Sequence, residues 1–418
     1  MFFLYQATLT ILLVFSPFII IYRIYKKKED KNRFKEKFTI PTTKKIEGKL
    51  IWFHGASVGE LQSIIPVIKY YEKDKSIKQI LITSSTLSSS KIIKKYKFKK
   101  TVHQFYPIDH IYFTNRFLNY WKPNVAIFIE SEIWPNMFKG IGNKDIPLIL
   151  LNARITQKTF KRWIKIKSFS KNIFGRVNIA YPQNSETKYY LKKLNFPKVK
   201  FIGNLKFAEN NENRKDKKYN FLKNKFRNKK IWVASSTHNH EEIFCIKAHL
   251  ELKKKFKNLV TIIIPRHVHR VNSIMKKIEN LNLNLKVVCH SSNKRNLNST
   301  DIYIVDTFGE TQIFHKLGYS VFLGGSIIKR GGQNPLEAAR YDANILHGPN
   351  VDNFKDVYKL LKKFNIAKKI NSPKELAYSL IFKKNKNQGL TIKNIGKKIL
   401  KKTLKELDSI IKNDFKKT

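Results

Sequence analysis

Short, continuous apolar runs recur along most of this chain and restrict its fold more than any other feature. The runs are unbroken rather than alternating, which is the pattern of strands buried on both faces of a parallel sheet. Polar segments with helical character separate many of them, for example Leu61–Lys69 and Glu241–Phe256. Strand and helix in alternation predict doubly wound α/β layers. The predicted strands are Leu50–His54, Ile80–Thr83, Val125–Ile129, Pro147–Leu151, Val177–Ala180, Val199–Ile202, Ile231–Ala234, Val260–Ile264, Leu285–Val288, Ile302–Val305, Ser320–Leu323 and Asn344–Leu346.

A polar, highly charged stretch at 209–230 divides the predicted strands into two series and is interpreted as a linker. Two similar α/β domains on either side of a linker predict a cleft between them. Ligands of such folds bind beyond the carboxyl ends of the strands, so functional residues are expected there. The predicted organisation is a membrane anchor at 1–25, a first α/β domain at 26–208, the linker, a second α/β domain at 231–385 and a helical tail at 386–418.

The N-terminal segment from Met1 to Tyr22 has no charged residue and is rich in Phe, Leu and Ile. About 20 such residues are enough to cross the hydrocarbon core as a helix. The basic residues follow this run, whereas a signal peptide carries its basic residues first. The order therefore predicts a membrane anchor with the remaining chain in the cytoplasm, although Pro17 leaves a monotopic insertion open. These basic residues are Arg23, Lys26, Lys27 and Lys28.

The formal net charge of +53 has several possible causes. A nucleic-acid partner, an anionic membrane surface, acidic substrates and a lysine-biased composition would each produce it. The lysines are dispersed and accompany no RNA- or DNA-binding motif, which disfavours the nucleic-acid class. Cys245 and Cys289 have no metal-like spacing, and the histidines lack HExxH spacing, so no metal is predicted. Two cysteines also make a disulfide framework improbable and favour a reducing compartment.

The segment His54–Glu60, with the sequence HGASVGE, follows the first predicted strand. Ser57 and Glu60 have the spacing of a helix capping box, which is one interpretation. The other is that Gly59 lets a substrate approach the backbone while Glu60 acts as a general base. A helix N-terminus can serve both purposes, because it is also a ligand site.

Two carboxylates, Glu130 and Glu132, follow the strand VAIFI, and Lys206 follows a later strand within GNLKF. Paired acids at a strand end are costly to bury without a partner. They are either salt-bridged structural groups, with Arg154 as one candidate partner, or groups that shape the charge at a reacting centre. Lys206 is either a solvated surface charge or a ligand for an anionic group in the cleft.

The second series of strands is followed by glycine-rich and polar motifs. Four of the 16 glycines fall between residues 324 and 332, which marks backbone that turns tightly or approaches a ligand. Asn334 at N-cap, Pro335 at N1 and Glu337 at N3 predict a helix start. That start is either only a capped helix or a site where N–H groups hold a phosphate and Glu337 holds a ribose or base. No P-loop or GxGxxG dinucleotide motif is present.

Taken in order, the motifs resemble those of the bacterial 3-deoxy-D-manno-octulosonic acid (Kdo) transferases. The matching segments run from the N-terminal anchor to about Phe354 and are HGASVGE, ESEIWPN, NARI, GNLKF, ASSTHNHEE, IPRHVHR, DTFGE, GGSIIKRGGQNPLEAA and GPNVDNF. The resemblance implies a GT-B fold at the bacterial inner membrane, with catalytic domains on the cytoplasmic side. It implies CMP-Kdo as donor, the lipid A precursor lipid IVA as acceptor, and inversion without a metal or other cofactor.

The resemblance also implies roles for individual residues. Glu60 matches the catalytic base, and Glu130 and Lys206 match positions that stabilise the transition state. The residues that match CMP-binding segments are Pro265, Arg266, Phe308, Gly309, Glu310, Asn334, Pro335, Leu336 and Glu337. Gln333, Phe308 and Asn350 depart from the family's usual His, Met and His, and the segment 84–90 is less Thr-rich than usual. The alternatives are another GT-B enzyme of lipid A or core synthesis with a different nucleotide sugar and, remotely, a nucleic-acid-binding protein.

Overall fold

The computed structural model describes residues 1–209, 217–292, 297, 299–385 and 387–414. The chain forms two compact units. Unit 1 consists of Met1–Asn210 and Ile395–Thr418, and unit 2 consists of Asn211–Asn394.

Unit 1 alternates strands and helices, as its continuous apolar runs predict. Its strands are β1 (Leu50–His54), β2 (Gln79–Ser84), β3 (Thr101–Phe105), β4 (Val125–Ile129), β5 (Leu148–Ala153) and β6 (Ile179–Pro182). Its helices are α1 (Phe2–Tyr25), α2 (Val58–Tyr71), α3 (Leu87–Lys94), α4 (Ile111–Trp121), α5 (Pro135–Gly142), α6 (Gln157–Lys165), α7 (Lys167–Phe174) and α8 (Ser185–Lys193), with short 3-10 turns at Phe34–Phe38 and Leu205–Ala208.

The six strands of unit 1 form one parallel sheet in the order β3-β2-β1-β4-β5-β6. The chain starts in the middle of this sheet, moves outward to β3 and then restarts at β4, so the strand order reverses between β1 and β4. Alternate residues of β1 enter different cores: Leu50 and Trp52 join one cluster, and Ile51 and Phe53 join the other. Both faces of the sheet are therefore covered, as expected for parallel strands.

Unit 2 repeats the same alternation. Its strands are β7 (Lys230–Thr237), β8 (Leu259–Pro265), β9 (Val287–Cys289), β10 (Ile302–Ile304), β11 (Ser320–Leu323), β12 (Asn344–His347) and β13 (Ala367–Lys369). They form a parallel sheet in the order β13-β12-β11-β7-β8-β10-β9. The helices, with 3-10 turns at Val268–Arg270 and Asp352–Phe354, are α9 (Lys217–Lys225), α10 (Glu241–Lys253), α11 (Val271–Glu279), α12 (Thr311–Leu317), α13 (Leu336–Ala339), α14 (Lys355–Lys363), α15 (Pro373–Ser379) and α16 (Gln388–Asp414).

The last helix, α16, begins in unit 2 and continues into unit 1. Leu407 and Ile411 are buried in a core of unit 1, and Asp408 accepts hydrogen bonds from the hydroxyls of Tyr70 and Tyr71 at 2.7 and 2.9 Å. The segment predicted as the tail thus supplies core residues to the first half of the chain. Its residues 386 and 415–418 lie outside the described part of the chain.

The predicted α/β class, with two parallel-sheet layers after an apolar N-terminal helix, is confirmed. The segment predicted as the linker, 209–230, contains α9, and its residues 210–216 lie outside the described residues. One predicted strand, Val199–Ile202, is wrong: Val199 makes a single parallel bridge to Ala180 and the pairing stops there. Two edge strands, β3 and β13, were not predicted. Among the described residues, α1 is the one helix long and apolar enough to cross a membrane.

Candidate functional site

Glu60 lies in the first turn of α2, directly beyond the carboxyl end of β1. Its side chain closes a capping box: Oε2 accepts the Ala56 N–H at 2.7 Å, Oε1 accepts the Ser57 hydroxyl at 2.8 Å, and Ser57 Oγ accepts the Glu60 N–H at 3.4 Å. The capping interpretation is therefore confirmed. A Cβ atom placed on neighbouring Gly59 would meet no atom within 4 Å, so the space beside the Glu60 turn is open.

The pKa of Glu60 is raised even though its carboxylate accepts the capping bonds. Burial, and then the nearby charge of Glu132, raise its pKa to about 7, although the bonds from Ser57 and Ala56 oppose the rise. A carboxylate with a pKa near the operating pH is well suited to accept a proton in catalysis. Capping and general-base chemistry are thus compatible at this position.

Glu132 is held by two aromatic N–H donors. Its Oε2 lies 3.2 Å from His54 Nε2 and 3.0 Å from Trp134 Nε1. His54 is fully buried, and burial lowers its pKa, so its imidazole is neutral. An ionised carboxylate only accepts hydrogen bonds, so the Nε2 of His54 carries the proton and its Nδ1 accepts from the Thr83 hydroxyl, 2.9 Å away. Because neither His54 nor Trp134 carries a positive charge, the charge of Glu132 acts on Glu60.

Glu130 is paired with a full positive charge instead. Its Oε1 lies 2.5 Å from Lys206 Nζ, and both side chains are largely buried. Asn152, at the end of β5, accepts the Leu205 N–H at 3.0 Å and so fixes the turn that carries Lys206. Glu130 and Asn152 both have positive φ, 56° and 52°, at adjacent strand ends. Such backbone strain is uncommon for residues other than glycine and concentrates at functional sites.

These groups meet where the strand order of unit 1 reverses. Glu60 follows β1, Glu130 and Glu132 follow β4, and Asn152 ends β5, and these three strands are neighbours in the sheet. Lys206 joins them from the turn after β6. Ligands of open α/β sheets bind at such a reversal. The alternative partner considered for the acids, Arg154, donates its backbone N–H to the Glu130 carbonyl at 3.1 Å.

In unit 2 a buried carboxylate organises the glycine-rich loop. Glu241, at the start of α10, is fully buried. It accepts backbone N–H bonds from His238 at 2.9 Å, Gly325 at 2.7 Å, Ser326 at 3.1 Å and Ile327 at 3.0 Å. The loops after the adjacent strands β7 and β11 are thereby tied to one side chain. Three N–H groups of the glycine-rich loop are consequently occupied by the protein's own carboxylate.

Glu310 lies at the carboxyl edge of the same sheet, after β10. Its carboxylate contacts Lys218 of α9 and the hydroxyl of Thr307, and lies 3.0 Å from His290 Nε2. Burial alone would raise the pKa of Glu310, but the bonds from Lys218 and Thr307 outweigh burial and lower it. Glu310 is thus an anion over the ordinary pH range. The neighbouring Phe308 is 91% exposed and free to stack on a ligand.

The remaining predicted donor residues lie on neighbouring segments. Pro265 ends β8, and the exposed Arg266 follows it, with its N–H donated to Thr237 at 2.9 Å. Gly309 has a φ of +89°, a conformation that favours glycine. Strands β7, β8 and β10 are adjacent, so the sheet brings Arg266 and the loop 308–310 to one edge.

The predicted helix start at 334–337 is present but short. Helix α13 begins at Leu336, with Pro335 at the N-cap position, so the start is one residue later than predicted. The capping side chain is still Asn334, whose Oδ1 accepts the Leu336 N–H at 3.1 Å. Burial raises the pKa of Glu337, against the opposing effects of Arg340 and a hydrogen bond with Gln312. The Gln312 contact joins this segment to the helix that follows Glu310.

Three functional candidates were missed in the sequence. His54 lies in the motif HGASVGE and Glu241 in ASSTHNHEE, but nothing in the sequence marks which polar residue of a motif is buried. Asn152 acts through a backbone N–H more than 50 positions away in the chain. A histidine at the end of an apolar strand and an acid in a first helical turn are the weak signals available.

A family model and several curated relatives carry the same family name. The family model described as 3-Deoxy-D-manno-octulosonic-acid transferase (kdotransferase) matches residues 32–209. The chain is 36% identical over 352 residues to the 3-deoxy-D-manno-octulosonic acid transferase of Rickettsia felis, which covers 84% of this chain and 75% of that protein. It is 34% identical over 394 residues to the protein of the same name from Rickettsia bellii, covering 94% and 93%.

Among solved structures, UDP-GlcNAc 2-epimerase from Neisseria meningitidis bound to UDP-GlcNAc is similar with a TM-score of 0.53. The match covers 85% of this chain and 100% of that chain at 14% identity. At that identity the likeness concerns the fold alone.

Proposed function

The chain belongs to the 3-deoxy-D-manno-octulosonic acid transferase family, and from this premise we propose that it transfers Kdo from CMP-Kdo to lipid IVA with inversion at the anomeric carbon. It is a glycosyltransferase of lipopolysaccharide biosynthesis. The specific reaction is supported above all by Glu60. Its carboxylate has a pKa of about 7 and lies beside open space, where the strand order of unit 1 reverses.

In the proposed reaction unit 1 binds the lipid acceptor and unit 2 binds the donor. Glu60 accepts the proton of an acceptor hydroxyl as that oxygen attacks the anomeric carbon of Kdo. The bond between this carbon and the phosphate oxygen of CMP breaks on the opposite face, and CMP departs as an anion. A single displacement of this kind inverts the anomeric centre. No metal or other cofactor takes part in the proposed step.

Lys206 and Glu130 are proposed to stabilise the charge that develops in the transition state. Fixed charges at a partly buried site act strongly, because they need no reorganisation when the charge of the reactants changes. Lys206 is held in place by its ion pair with Glu130, so its ammonium group is oriented before substrate arrives.

The donor site is proposed at the carboxyl edge of the unit 2 sheet. Arg266 supplies a cation for the phosphate of CMP, and the exposed ring of Phe308 supplies a stacking surface for the base. Glu310 and Glu337 are anionic or acidic groups beside these segments and are proposed to accept hydrogen bonds from ribose hydroxyls or the base. The other residues proposed to line the CMP site are Pro265, Gly309, Asn334, Pro335 and Leu336.

The apolar helix α1 is proposed to hold the enzyme at the bacterial inner membrane, with both units on the cytoplasmic side. Its 24 residues are long and apolar enough for membrane association. The basic residues directly after it favour the cytoplasmic side. A lipid acceptor resides in the same membrane, so this placement brings enzyme and acceptor together.

The proposed function is tested by supplying purified full-length protein with lipid IVA and either CMP-Kdo or a UDP-sugar. We expect lipid products heavier by Kdo residues, with CMP released, and no product from the UDP-sugar. Mass spectrometry of the lipid identifies the added sugar and the number of residues transferred. Transfer from the UDP-sugar, with none from CMP-Kdo, would assign the chain a different donor.

A further inference from the structure

Helix α1 contacts the rest of unit 1 through its first ten residues, and a less exposed face continues toward its C-terminal end. Except for Ala7, its less exposed residues recur every three or four positions, which places them on one face of the helix. Two of them, Ser16 and Ile20, are buried, at 8% and 7% exposure. The stripe consists of Phe2, Tyr5, Gln6, Leu9, Leu13, Ser16, Ile20, Arg23 and Ile24.

The N-terminal half of α1 is fixed to unit 1 by a polar latch. The Tyr5 hydroxyl donates to Asp109 Oδ2 at 2.7 Å. Asp109 is 2% exposed and also accepts the N–H groups of Asn136 and Met137, at 3.0 and 2.9 Å. The side chain of Gln6 contacts that of Asn136. Asp109 therefore joins the apolar helix to the first turn of α5.

The opposite face of α1 is apolar and exposed. It carries Phe3, Leu4, Ile11, Leu12, Val14, Phe15, Phe18, Ile19, Ile21 and Tyr22. The apolar surface continues onto α4, where Ile111 and Tyr112 are 43% and 57% exposed. These two residues follow His110, whose Nε2 lies 3.4 Å from Thr10 Oγ1 of α1.

Basic residues border α1 at both ends. At its N-terminal end the rings of Phe2 and Tyr5 lie 6.2 and 6.1 Å from the ring of Phe169, and Lys139 Nζ lies 4.3 Å from the Phe2 ring. Phe169 belongs to the stretch 154–176, which contains no acidic residue. Its basic residues are Arg154, Lys158, Lys161, Arg162, Lys165, Lys167, Lys171 and Arg176. At the other end stand Arg23, Lys26, Lys27 and Lys28.

A spanning helix docked in this way would carry one of these basic groups across the bilayer. The helix is about 36 Å long at 1.5 Å per residue, so its two ends would lie on opposite sides of the hydrocarbon core. Phe169, with the basic residues of α6 and α7 beside it, would then have to follow Phe2 to the far side. Basic residues near a membrane segment stay on the cytoplasmic side, and here both ends carry them.

We propose that α1 lies in the plane of one leaflet of an anionic bilayer, docked on unit 1 by its stripe and by the Tyr5–Asp109 latch, and does not cross the membrane. The sequence of α1 is apolar on both faces, so its orientation follows from its contacts with unit 1, while the exposed apolar face and the cations at both ends supply the attraction to lipid. This placement of α1 rests on the proposed function for its biological role. Helix α5 begins directly after Trp134, which donates a hydrogen bond to Glu132. The latch therefore couples the leaflet surface to the carboxylates of unit 1.

The depth of α1 is measured with single spin labels on the full chain, after Cys245 and Cys289 are replaced by serine. Labels replace Phe3, Leu12 or Tyr22, and the protein is bound to vesicles of phosphatidylethanolamine and phosphatidylglycerol. Relative accessibility to oxygen and to a water-soluble nickel complex reports depth. We expect all three labels at similar, shallow depths. A label at Leu12 near the bilayer centre, with Phe3 and Tyr22 at opposite surfaces, would overturn the proposal.

The latch is tested by cross-linking in the same vesicles. Cysteines at Phe2 and Lys139 should be joined by a short bismaleimide, because the two side chains are in contact. Tyr5→Phe removes only the donor to Asp109 and is expected to slow cross-linking roughly tenfold without changing vesicle binding. The matched control Tyr22→Phe, on the exposed face, should change neither. Unchanged cross-linking in Tyr5→Phe would remove the latch.

Neither readout uses Kdo transfer. If the three spin labels lie at equal depths but the protein transfers no Kdo, the in-plane position of α1 is supported and the proposed function is contradicted. If the protein transfers Kdo but its labels show that α1 crosses the bilayer, only the in-plane position of α1 is contradicted.

Discussion

Replacing Glu132 by Gln tests whether an unneutralised charge sets the basicity of Glu60. Burial and then Glu132 raise the pKa of Glu60 from 4.5 to about 7. Gln keeps the shape of the side chain and can still accept from Trp134 and His54, so the packing is preserved while the charge is removed. Burial remains as the larger cause, and we therefore expect the pKa of Glu60 to fall by about one unit, toward 6.

The sign of the effect on rate depends on pH. A general base must be deprotonated, so activity rises as pH passes upward through its pKa. At pH 6 about one tenth of Glu60 is deprotonated when its pKa is 7, and about half when its pKa is 6. The variant base is also weaker, which lowers the high-pH plateau by a few-fold. The two profiles should therefore converge or cross near pH 6 and separate above pH 7.

The assay is the pH dependence of kcat/KM for CMP-Kdo, with detergent-dispersed lipid IVA held constant. Glu47→Gln is the matched control, because it removes an exposed carboxylate from the same unit and should leave the profile in place. If Glu132→Gln lowers the rate by the same factor at every pH, with its acid limb unmoved, Glu132 does not act through the pKa of Glu60.

Three further changes address the ion pair and the donor side. Lys206→Met leaves the buried Glu130 carboxylate without its ion-pair partner and should cost about 3–5 kcal/mol in urea unfolding, whereas the Glu130→Gln/Lys206→Met double variant should recover most of it; equal losses in both would contradict the pairing. Glu241→Gln places an amide N–H₂ against backbone N–H donors, so CMP binding measured by calorimetry should weaken roughly tenfold. The control is Glu242→Gln, because Glu242 bonds to Arg270 and not to the glycine-rich loop, and its effect should be smaller. Glu337→Ala should weaken CMP binding and spare acceptor binding; unchanged CMP affinity would remove it from the donor site.

The strands that could be predicted are those buried on both faces. VAIFI at β4 is apolar throughout, so its run marks the strand to the residue. The edge strands β3 and β13 carry polar residues, as in Thr101–Phe105, and leave no such run. Val199–Ile202 shows the opposite error: it is mostly apolar, but it lies beside an edge strand and forms only one bridge. An apolar run reports burial, and a strand also needs a pairing partner.

The candidate site was predicted in part for a similar reason. Glu60, Glu130 and Lys206 follow strands, and parallel strands end at a common edge, so their proximity follows from the pattern. The chain from Thr83 through His54 to Glu132 joins the ends of three strands in the order of the folded sheet, which the sequence does not reveal. The sequence therefore does not predict that Glu132 is held by neutral donors that leave its charge unneutralised.

The proposed mechanism depends on Glu60 as the general base of Kdo transfer, and the substitution Glu60→Gln tests this role. Gln still fits the capping box with Ser57 but cannot accept the proton. We expect a melting temperature at or above that of the parent, because Gln removes a buried charge, together with retained CMP binding and single-turnover transfer from CMP-Kdo to lipid IVA slowed roughly 100- to 10,000-fold. Transfer at near the parent rate would contradict the account, leave Glu60 as a helix cap only, and direct the search for the base to Glu130 or Glu132.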